Sequence, residues 1–422
     1  MKEKTRHIII KTSEILNNNS KKFKIYKSKQ LMLFATSIFD EKQKKYRTIS
    51  KNFAKKFIKE FKYLFVRKID RNSGTYLFAK TNENEYRLGL WINNYIPNKL
   101  IFKKNKFKYY YTNIRIPKRF IGIKYKNKNI RSILLLPQFI NIDKNFSRRL
   151  GIFASDGFKK NILGIRNTEL LLVKELIKLF RSFDTSKKRL QITKKEQGKY
   201  KEQYCFCFSN KVLSIIVNKL HIKFLDLLLK YPKRNKELIA GYIQGFHAGD
   251  GCCSKRSIQI VSYKGDPAIE FIKKISKKLN LNIGYINNKN KNYEILEFLG
   301  LPTYLKFYKN YIWSPKKLKK ATLYLRGKDP FILFNKRFLK NLSYRNLREL
   351  ESIFKTDVRT IYRYRNGDTF IPFKKILAFC KKERITPHSL IDKIEQIKTS
   401  KEVYNNQYAK EIYEDFLRIN GK

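Results

Sequence analysis

Apolar and polar residues alternate most regularly between residues 140 and 330. The segment SIQIVSY (257–263) alternates with a period of two, which predicts a β-strand. Asp266 and Pro267 then suit the first positions of a helix, because aspartate caps a helix and proline fits its first turn. The apolar face of that helix would consist of Ala268, Ile269, Ile272, Ile275 and Leu279.

An earlier stretch shows the same order of patterns. Asn167 precedes a helical pattern through LLLVKELIKLF, and two strand-like runs follow it, RLQITKK (189–195) and QYCFCFS (203–209). Ahead of the two stretches lie the similar segments RRLGIFASDG and AGYIQGFHAGDG, in which Asp250 follows Asp156 by 94 residues. The chain therefore contains an internal repeat, and each copy is predicted to run helix, strands, helix, strands, helix.

Each copy carries small residues at helical spacing before its Asp-Gly pair. These residues are Gly151 and Ser155 in the first copy, and Gly241, Gly245 and Gly249 in the second. Glycine inside a helix costs about 0.5–1 kcal/mol relative to alanine, and close approach of a second helix offsets that cost. Two such helices would bring two carboxylates together at their C-terminal ends, where the helix dipole disfavours negative charge. A shared divalent cation would relieve this conflict.

The repeated segment resembles the LAGLIDADG family of homing endonucleases, on Gly151, Asp156 and Gly157 and on Gly245, Asp250 and Gly251. The family's middle acidic position is alanine in both copies, Ala154 and Ala248. The resemblance implies an α+β fold in which two pseudo-symmetric αββαββα units form a β-saddle over duplex DNA. It covers about 190 residues, with a first unit at 141–235 and a second at 236–333. Residues 1–140 are expected to form a basic α+β accessory region.

The activity implied by the resemblance is metal-assisted hydrolysis of both DNA strands. Asp156 and Asp250 would hold Mg²⁺ or Mn²⁺, and a basic residue would stabilise charge on the phosphate. The candidates for that basic residue are Lys230, Lys233 and Lys319. The strand positions expected to contact bases in the major groove are Arg189, Gln191, Thr193, Gln259 and Tyr263.

Residues 340–392 resemble the helix-turn-helix of phage-repressor-type proteins. We expect a helix at 347–354, a turn at 355–356, a second helix at 358–364 capped by Asp357 and ended by Gly367, and a third helix at 373–381. The residues expected to face DNA are Arg359, Thr360, Tyr362 and Arg363. We expect this all-α domain to sit on its own tether and to be followed by a helical tail at 393–422.

Charge supports a nucleic-acid partner. Lys and Arg number 95 against 34 Asp and Glu, a net charge of +61, and a surface this cationic suits a polyanion such as double-stranded DNA. The five cysteines form neither a disulfide framework nor a paired zinc motif, which indicates an intracellular, cytoplasmic protein. We expect a monomer without a membrane span.

Two alternatives stay open at this point. A transcription regulator could keep the saddle without cleaving DNA, although that would favour loss of one or both acids, and both are present. An RNA-splicing maturase could use the same scaffold for intron RNA.

Overall fold

A computed structural model gives the fold of the chain. It describes residues 7–16, 23–27, 30–32, 35–40, 45–48, 63–68, 75–80, 85–88, 91–92, 101–104, 110–115, 119–125, 132–157, 162–183, 192–197, 200–209, 211–287, 292–343, 345–399 and 402–420. Two compact units can be separated. The first is Met1–Asp250 with Asp266–Ile272, and the second is Gly251–Gly265 with Lys273–Lys422.

The N-terminal region is dominated by strands. Its elements are β1 Ile8–Lys11, α1 Thr12–Leu16, β2 Phe23–Lys27, β3 Gln30–Met32, β4 Ala35–Asp40, β5 Lys45–Thr48, β6 Tyr63–Lys68, β7 Thr75–Lys80, β8 Glu85–Leu88, β9 Trp91–Ile92, β10 Ile101–Lys104, β11 Tyr110–Arg115, β12 Phe120–Tyr125, β13 Ser132–Pro137 and β14 Phe139–Ile142. Strand β1 pairs antiparallel with β14, which leads into the first motif helix.

The first repeat follows directly. Its elements are α2 Lys144–Asp156, β15 Ile162–Asn167, α3 Leu170–Arg181, β16 Thr193–Gln197, β17 Tyr200–Ser209 and α4 Lys211–Lys230. The sheet order is β15-β17-β16. Among the described residues, one named strand follows α2 instead of the expected two, and an isolated bridge between Gly157 and Ile165 stands where the other strand was predicted.

The second repeat has the predicted order of elements. It comprises α5 Lys236–Asp250, β18 Gly251–Cys253, β19 Ile258–Tyr263, α6 Pro267–Lys278, β20 Ile283–Asn287, β21 Tyr293–Phe298 and α7 Leu301–Tyr311, and α8 Pro315–Arg326 comes next. The sheet order is β18-β19-β21-β20, so its last three strands match the order in the first repeat. Asp266 accepts a hydrogen bond from the Ala268 backbone N–H. Of the expected apolar face of α6, Ala268, Ile269, Ile272 and Ile275 are buried, whereas Leu279 follows the end of the helix and is half-buried.

The C-terminal region combines helices with a small sheet. Its elements are β22 Phe331–Phe334, α9 Lys336–Ser343, α10 Leu347–Phe354, α11 Val358–Asn366, β23 Ile371–Pro372, α12 Phe373–Lys382, a 3₁₀ helix Pro387–Lys393, β24 Ile394–Lys398, β25 Val403–Asn405 and α13 Asn406–Asn420. The sheet order is β23-β22-β24-β25. The expected all-α domain and helical tail therefore need correction. The strands are too short for periodicity to reveal, and pairing between distant segments creates them.

Candidate functional site

The motif helices α2 and α5 pack against each other through small residues. A side-chain Cβ at Gly245 would lie 1.9 Å from the Arg148 carbonyl oxygen, and one at Gly151 would lie 2.2 Å from the Tyr242 carbonyl oxygen. No real Cβ tolerates such distances, so the two backbones touch only because both positions are glycine. This confirms the predicted reason for the small residues.

The order of the contacts shows that the helices run parallel. Gly241 lies against Lys144 near the start of α2, and Gly249 lies against Ser155 and Asp156 at its end. The Ser147 hydroxyl donates to the Leu238 carbonyl at 2.6 Å, which fixes the N-terminal half of the interface. Asp156 and Asp250 are thus the last residues of parallel helices and lie at the same end of the pair.

The Asp156 side chain points toward the neighbouring helix. Its Oδ2 atom is 2.5 Å from the position of a Cβ on Gly249, the residue immediately before Asp250. The same Oδ2 atom accepts a hydrogen bond from Asn167 Nδ2 at 3.0 Å. Sequence analysis assigned Asn167 only to the start of a helix. Its place at the end of β15 is what brings its amide to the acid, and no sequence signal revealed that contact.

An ion pair anchors α2 on its outer side. Arg149 Nε donates to Glu175 Oε2 at 2.9 Å, and Lys178 Nζ donates to Glu175 Oε1. Burial would raise the pKa of Glu175, but the hydrogen bonds from Lys178 and Arg149 outweigh it, and the pKa lies below its usual value. This pair holds the first motif helix against α3.

The donor chemistry at the helix ends suits a hard divalent cation. Magnesium is commonly held by one or two carboxylates, with water and substrate phosphate completing its shell. Asp156 and Asp250 supply the carboxylates, and glycine at position 249 leaves the space beside Asp156 that a larger residue would fill. Within the part of the chain that the structure describes, no group of three or more His, Cys, Asp or Glu residues could hold a metal. A site here would therefore depend on water and substrate for its remaining ligands.

The predicted DNA-contacting strand of the first repeat is described only in part. Arg189 and Gln191 lie outside the described residues. Thr193 is exposed, although its hydroxyl also donates to the Cys205 carbonyl at 3.2 Å. Arg166 pairs with Cys205 from the other side and is exposed on the same sheet face. Sequence analysis missed Arg166, which adds a cation to this surface.

The corresponding face of the second repeat is less basic. Gln259 and Tyr263 lie on the side of β19 opposite the buried residues, and Tyr263 is 73% exposed. Gln259 Nε2 donates to Glu297 on the adjacent strand β21, and the Ser257 hydroxyl donates to the same carboxylate oxygen at 3.1 Å. Glu297 was not predicted at this surface, and it restricts the orientation that Gln259 can present to a ligand.

The proposed catalytic lysines lie on other elements than the two aspartates. Lys230 and Lys233 precede α5, whose 15 residues span roughly 22 Å before Asp250 is reached. They therefore precede the start of α5, whereas Asp250 stands at its end. Lys319 is exposed on α8, and different lysines of that helix lie toward β18. Burial raises the pKa of the Cys253 thiol in β18 to about 11, and the positive charges of Lys317 and Lys320 act against that shift.

The C-terminal helices match their predicted bounds closely. Asp357 accepts from the Thr360 backbone N–H at 2.9 Å and from the Thr360 hydroxyl at 2.7 Å, and Gly367 ends the helix in the left-handed conformation. Arg359, Tyr362 and Arg363 are exposed on α11, as expected. The Thr360 side chain is different, because its hydroxyl is engaged in the cap.

Comparisons with known proteins add a likeness at the level of structure. No family model and no curated protein matches the chain. The homing endonuclease I-DmoI in complex with DNA and Ca is similar at 14% identity and a TM-score of 0.31, over 43% of this chain and 96% of that one. Full-length DUF199/WhiA from Thermatoga maritima is similar at 15% identity and a TM-score of 0.33, over 65% of this chain and 89% of that one. The N-terminal LAGLIDADG domain of DUF199/WhiA is similar at 12% identity and a TM-score of 0.30, over 41% of this chain and 84% of that one. TM-scores of this size carry no argument about function.

None of the described helices is both long and apolar enough to cross a bilayer.

Proposed function

We propose that the chain is a site-specific endonuclease that hydrolyses both strands of double-stranded DNA with a divalent metal ion. The observation that carries the proposal is the parallel packing of α2 and α5, which brings the C-terminal ends bearing Asp156 and Asp250 together. Two carboxylates at adjacent helix ends are costly unless a cation sits with them. The net charge of +61 supports a polyanionic substrate.

The residues of this chain would have three roles, which are metal binding, orientation of a metal-binding carboxylate and DNA contact. Asp156 and Asp250 would hold Mg²⁺ or Mn²⁺, and Asn167 would keep the Asp156 carboxylate turned toward the second helix. Bound metal supplies an activated water and stabilises charge on the phosphate during hydrolysis. The outward face of each sheet, with Arg166 and Thr193 in the first repeat and Gln259 in the second, would contact the duplex.

Helices α10 and α11 would form a second DNA-binding surface. The pair is joined by a short turn at Lys355–Asp357, and Phe354, Tyr364 and Phe379 pack together behind it. This core leaves Arg359, Tyr362 and Arg363 at the surface, where α11 could enter a major groove. Arginine side chains at these positions suit both phosphate oxygens and guanine edges.

Cleavage assays test the catalytic proposal. Supercoiled plasmids carrying DNA that flanks the gene would be incubated with the protein in Mg²⁺, in Ca²⁺ and without metal. Linear product is expected in Mg²⁺, and Asp156→Asn and Asp250→Asn should each abolish it while DNA binding stays nearly unchanged. Asp392→Asn is the matched control, because the Asp392 side chain is 93% exposed and its loss removes the same charge elsewhere.

The outcomes separate the proposed function from its main rival. A non-cleaving DNA-binding regulator would bind DNA with all four proteins and give linear product with none. Full cleavage by either motif variant would exclude the two aspartates as the metal site. If the protein neither cleaves DNA nor binds it, the endonuclease and regulator proposals are both wrong.

A further inference from the structure

Helix α13 lies between the C-terminal helices and the second repeat. One side of it packs on α12, where the Phe373 ring meets Tyr413 at 5.5 Å and Phe416 at 5.6 Å between ring centroids. Tyr413 also donates to the Pro387 carbonyl at 3.2 Å. These aromatic residues are buried, so α13 is part of the core that supports α10–α12.

The other side of α13 contacts the last two helices of the second repeat. Asp415 pairs with Lys309 of α7, and the Asp415 side chain is 8% exposed. Arg326 Nε of α8 donates to the Ile419 carbonyl at 2.9 Å, near the end of α13. Lys309 itself is 39% exposed, but removing it would leave the buried Asp415 carboxylate without its compensating charge.

The connection between the two parts is short and hydrogen-bonded. Helix α8 ends at Arg326, and β22 begins at Phe331. Within this connection, the Pro330 carbonyl accepts from the Phe373 N–H at 2.8 Å and Asp329 Oδ1 accepts from the Lys374 N–H at 2.9 Å, at the start of α12. The segment expected to be a tether is therefore a structured junction, and both parts belong to one compact unit.

We infer that α11 and the sheet of the second repeat are held at a fixed distance and rotation, so the chain recognises a composite DNA site whose two segments have one permitted spacing. The inference rests on the proposed function, because it requires both surfaces to bind DNA. A flexible tether would behave differently, since a mobile second binder reaches its segment over a range of spacings.

The test is a spacing series on the full-length protein. After both contacted segments have been mapped by footprinting, duplexes are made with 2, 5 and 10 base pairs inserted between them, and affinity is measured by fluorescence anisotropy in Ca²⁺. An insertion of 2 base pairs rotates the outer segment by roughly 70°, since a turn of DNA takes about 10.5 base pairs. Each insertion is expected to weaken binding by about tenfold or more, because the protein then loses affinity that it gains from binding both segments at once. Affinity within twofold across the series would overturn the inference.

Two variants separate this inference from the proposed function. Arg359→Ala with Arg363→Ala should bind the unmodified site more weakly and should lose its dependence on spacing. If this double variant binds like the parent protein, α11 does not contact DNA, and the C-terminal part of the proposed function fails. If the arginine substitutions weaken binding but the insertions do not change the affinity of the parent protein, only the inference of a fixed junction is overturned.

A second pair of variants tests the junction itself. Asp415→Lys places a second positive charge beside Lys309, so α13 should detach from α7, and binding should become tolerant of the insertions. Asp392→Lys makes the same charge change at the exposed Asp392–Lys410 pair and should keep the dependence on spacing. An Asp415→Lys protein that keeps its α-helical circular dichroism and still rejects the insertions would contradict the role of this contact.

Discussion

The two motif helices place small residues four apart on the faces that touch, but they do so with different residues. In α2 these are Ser147, Gly151 and Ser155, and in α5 they are Gly241, Gly245 and Gly249. The serines contribute hydrogen bonds that glycine cannot make, because Ser147 donates across the interface to Leu238 and Ser155 donates within its own helix. The interface therefore requires a small residue at each of these positions, and at Gly151 and Gly245 it requires glycine itself.

The repeats also differ in how the motif helix is anchored on its outer side. Arg149 in α2 is bound by Glu175, whereas the corresponding residue in α5 is Ile243, which is fully buried. The first helix thus depends on a charge pair where the second depends on apolar packing. This difference predicts that the packing of α2 on its outer side depends on pH more strongly than the packing of α5.

The strand residues at corresponding positions near the two acids differ as well. The bridges Gly157–Ile165 and Gly251–Ile260 place Asn167 and Ser262 at corresponding strand positions. Asn167 reaches Asp156, and a serine has a shorter side chain. The contact between Asn167 and Asp156 can therefore be removed and tested on its own.

The largest stability effect is expected at the contact between the helices. Gly245→Ala would drive a Cβ to 1.9 Å from a backbone oxygen, and backbone cannot rotate away as a side chain can. Thermal and urea unfolding should show a loss of about 1–3 kcal/mol or more, as overpacking of a core does. Gly327→Ala is the control, with its nearest atoms at 3.4 and 3.6 Å, and should change stability by about 0.5 kcal/mol or less. Equal effects of the two changes would mean that α2 and α5 do not touch in solution.

A smaller effect is expected on strand cleavage. Asn167→Ala removes the hydrogen bond to Asp156 and should slow cleavage at one half-site by roughly tenfold, as loss of a residue that orients a metal ligand does. Nicked plasmid should then accumulate before linear product appears. Ser262→Ala should leave the ratio of nicked to linear plasmid unchanged. Equal slowing of both strands by Asn167→Ala would show that the hydrogen bond is not specific to one half-site.

The smallest effect concerns acid stability. The pKa of Glu175 is lowered in the folded chain, so its contribution is present at neutral pH and is lost as pH falls through the folded value. Glu175→Gln should cost about 1 kcal/mol at pH 7, the net value of a hydrogen bond. The difference from the parent protein should shrink below pH 4.5, the usual value for glutamate. Circular dichroism across a pH series measures this, and a constant difference at every pH would mean that charge plays no part.

Periodicity and glycine spacing predicted much of the repeat correctly. The strand at Ile258–Tyr263, the helix after Asp266 and the bounds of α10 and α11 all follow from local signals such as alternation, capping aspartates and a glycine that ends a helix. Such signals depend on residues close in sequence, so they can be recognised without the fold. The lysine assignments stay predictions, because a basic residue that acts on a phosphate is recognised by its position in the fold and not by a local pattern.

The sequence by itself determined which residues could pack as close helices and where the two acids stand on them, since small residues and Asp-Gly pairs recur at fixed spacing. Only the tertiary structure decided that Asn167 reaches Asp156, that Glu297 holds Gln259, and that α13 joins the C-terminal helices to the second repeat. Each of these contacts joins side chains on different elements, and their proximity depends on how strands pair and helices pack. Local pattern carries no information on such pairings, because many partners of the same chemistry are available in so basic a chain.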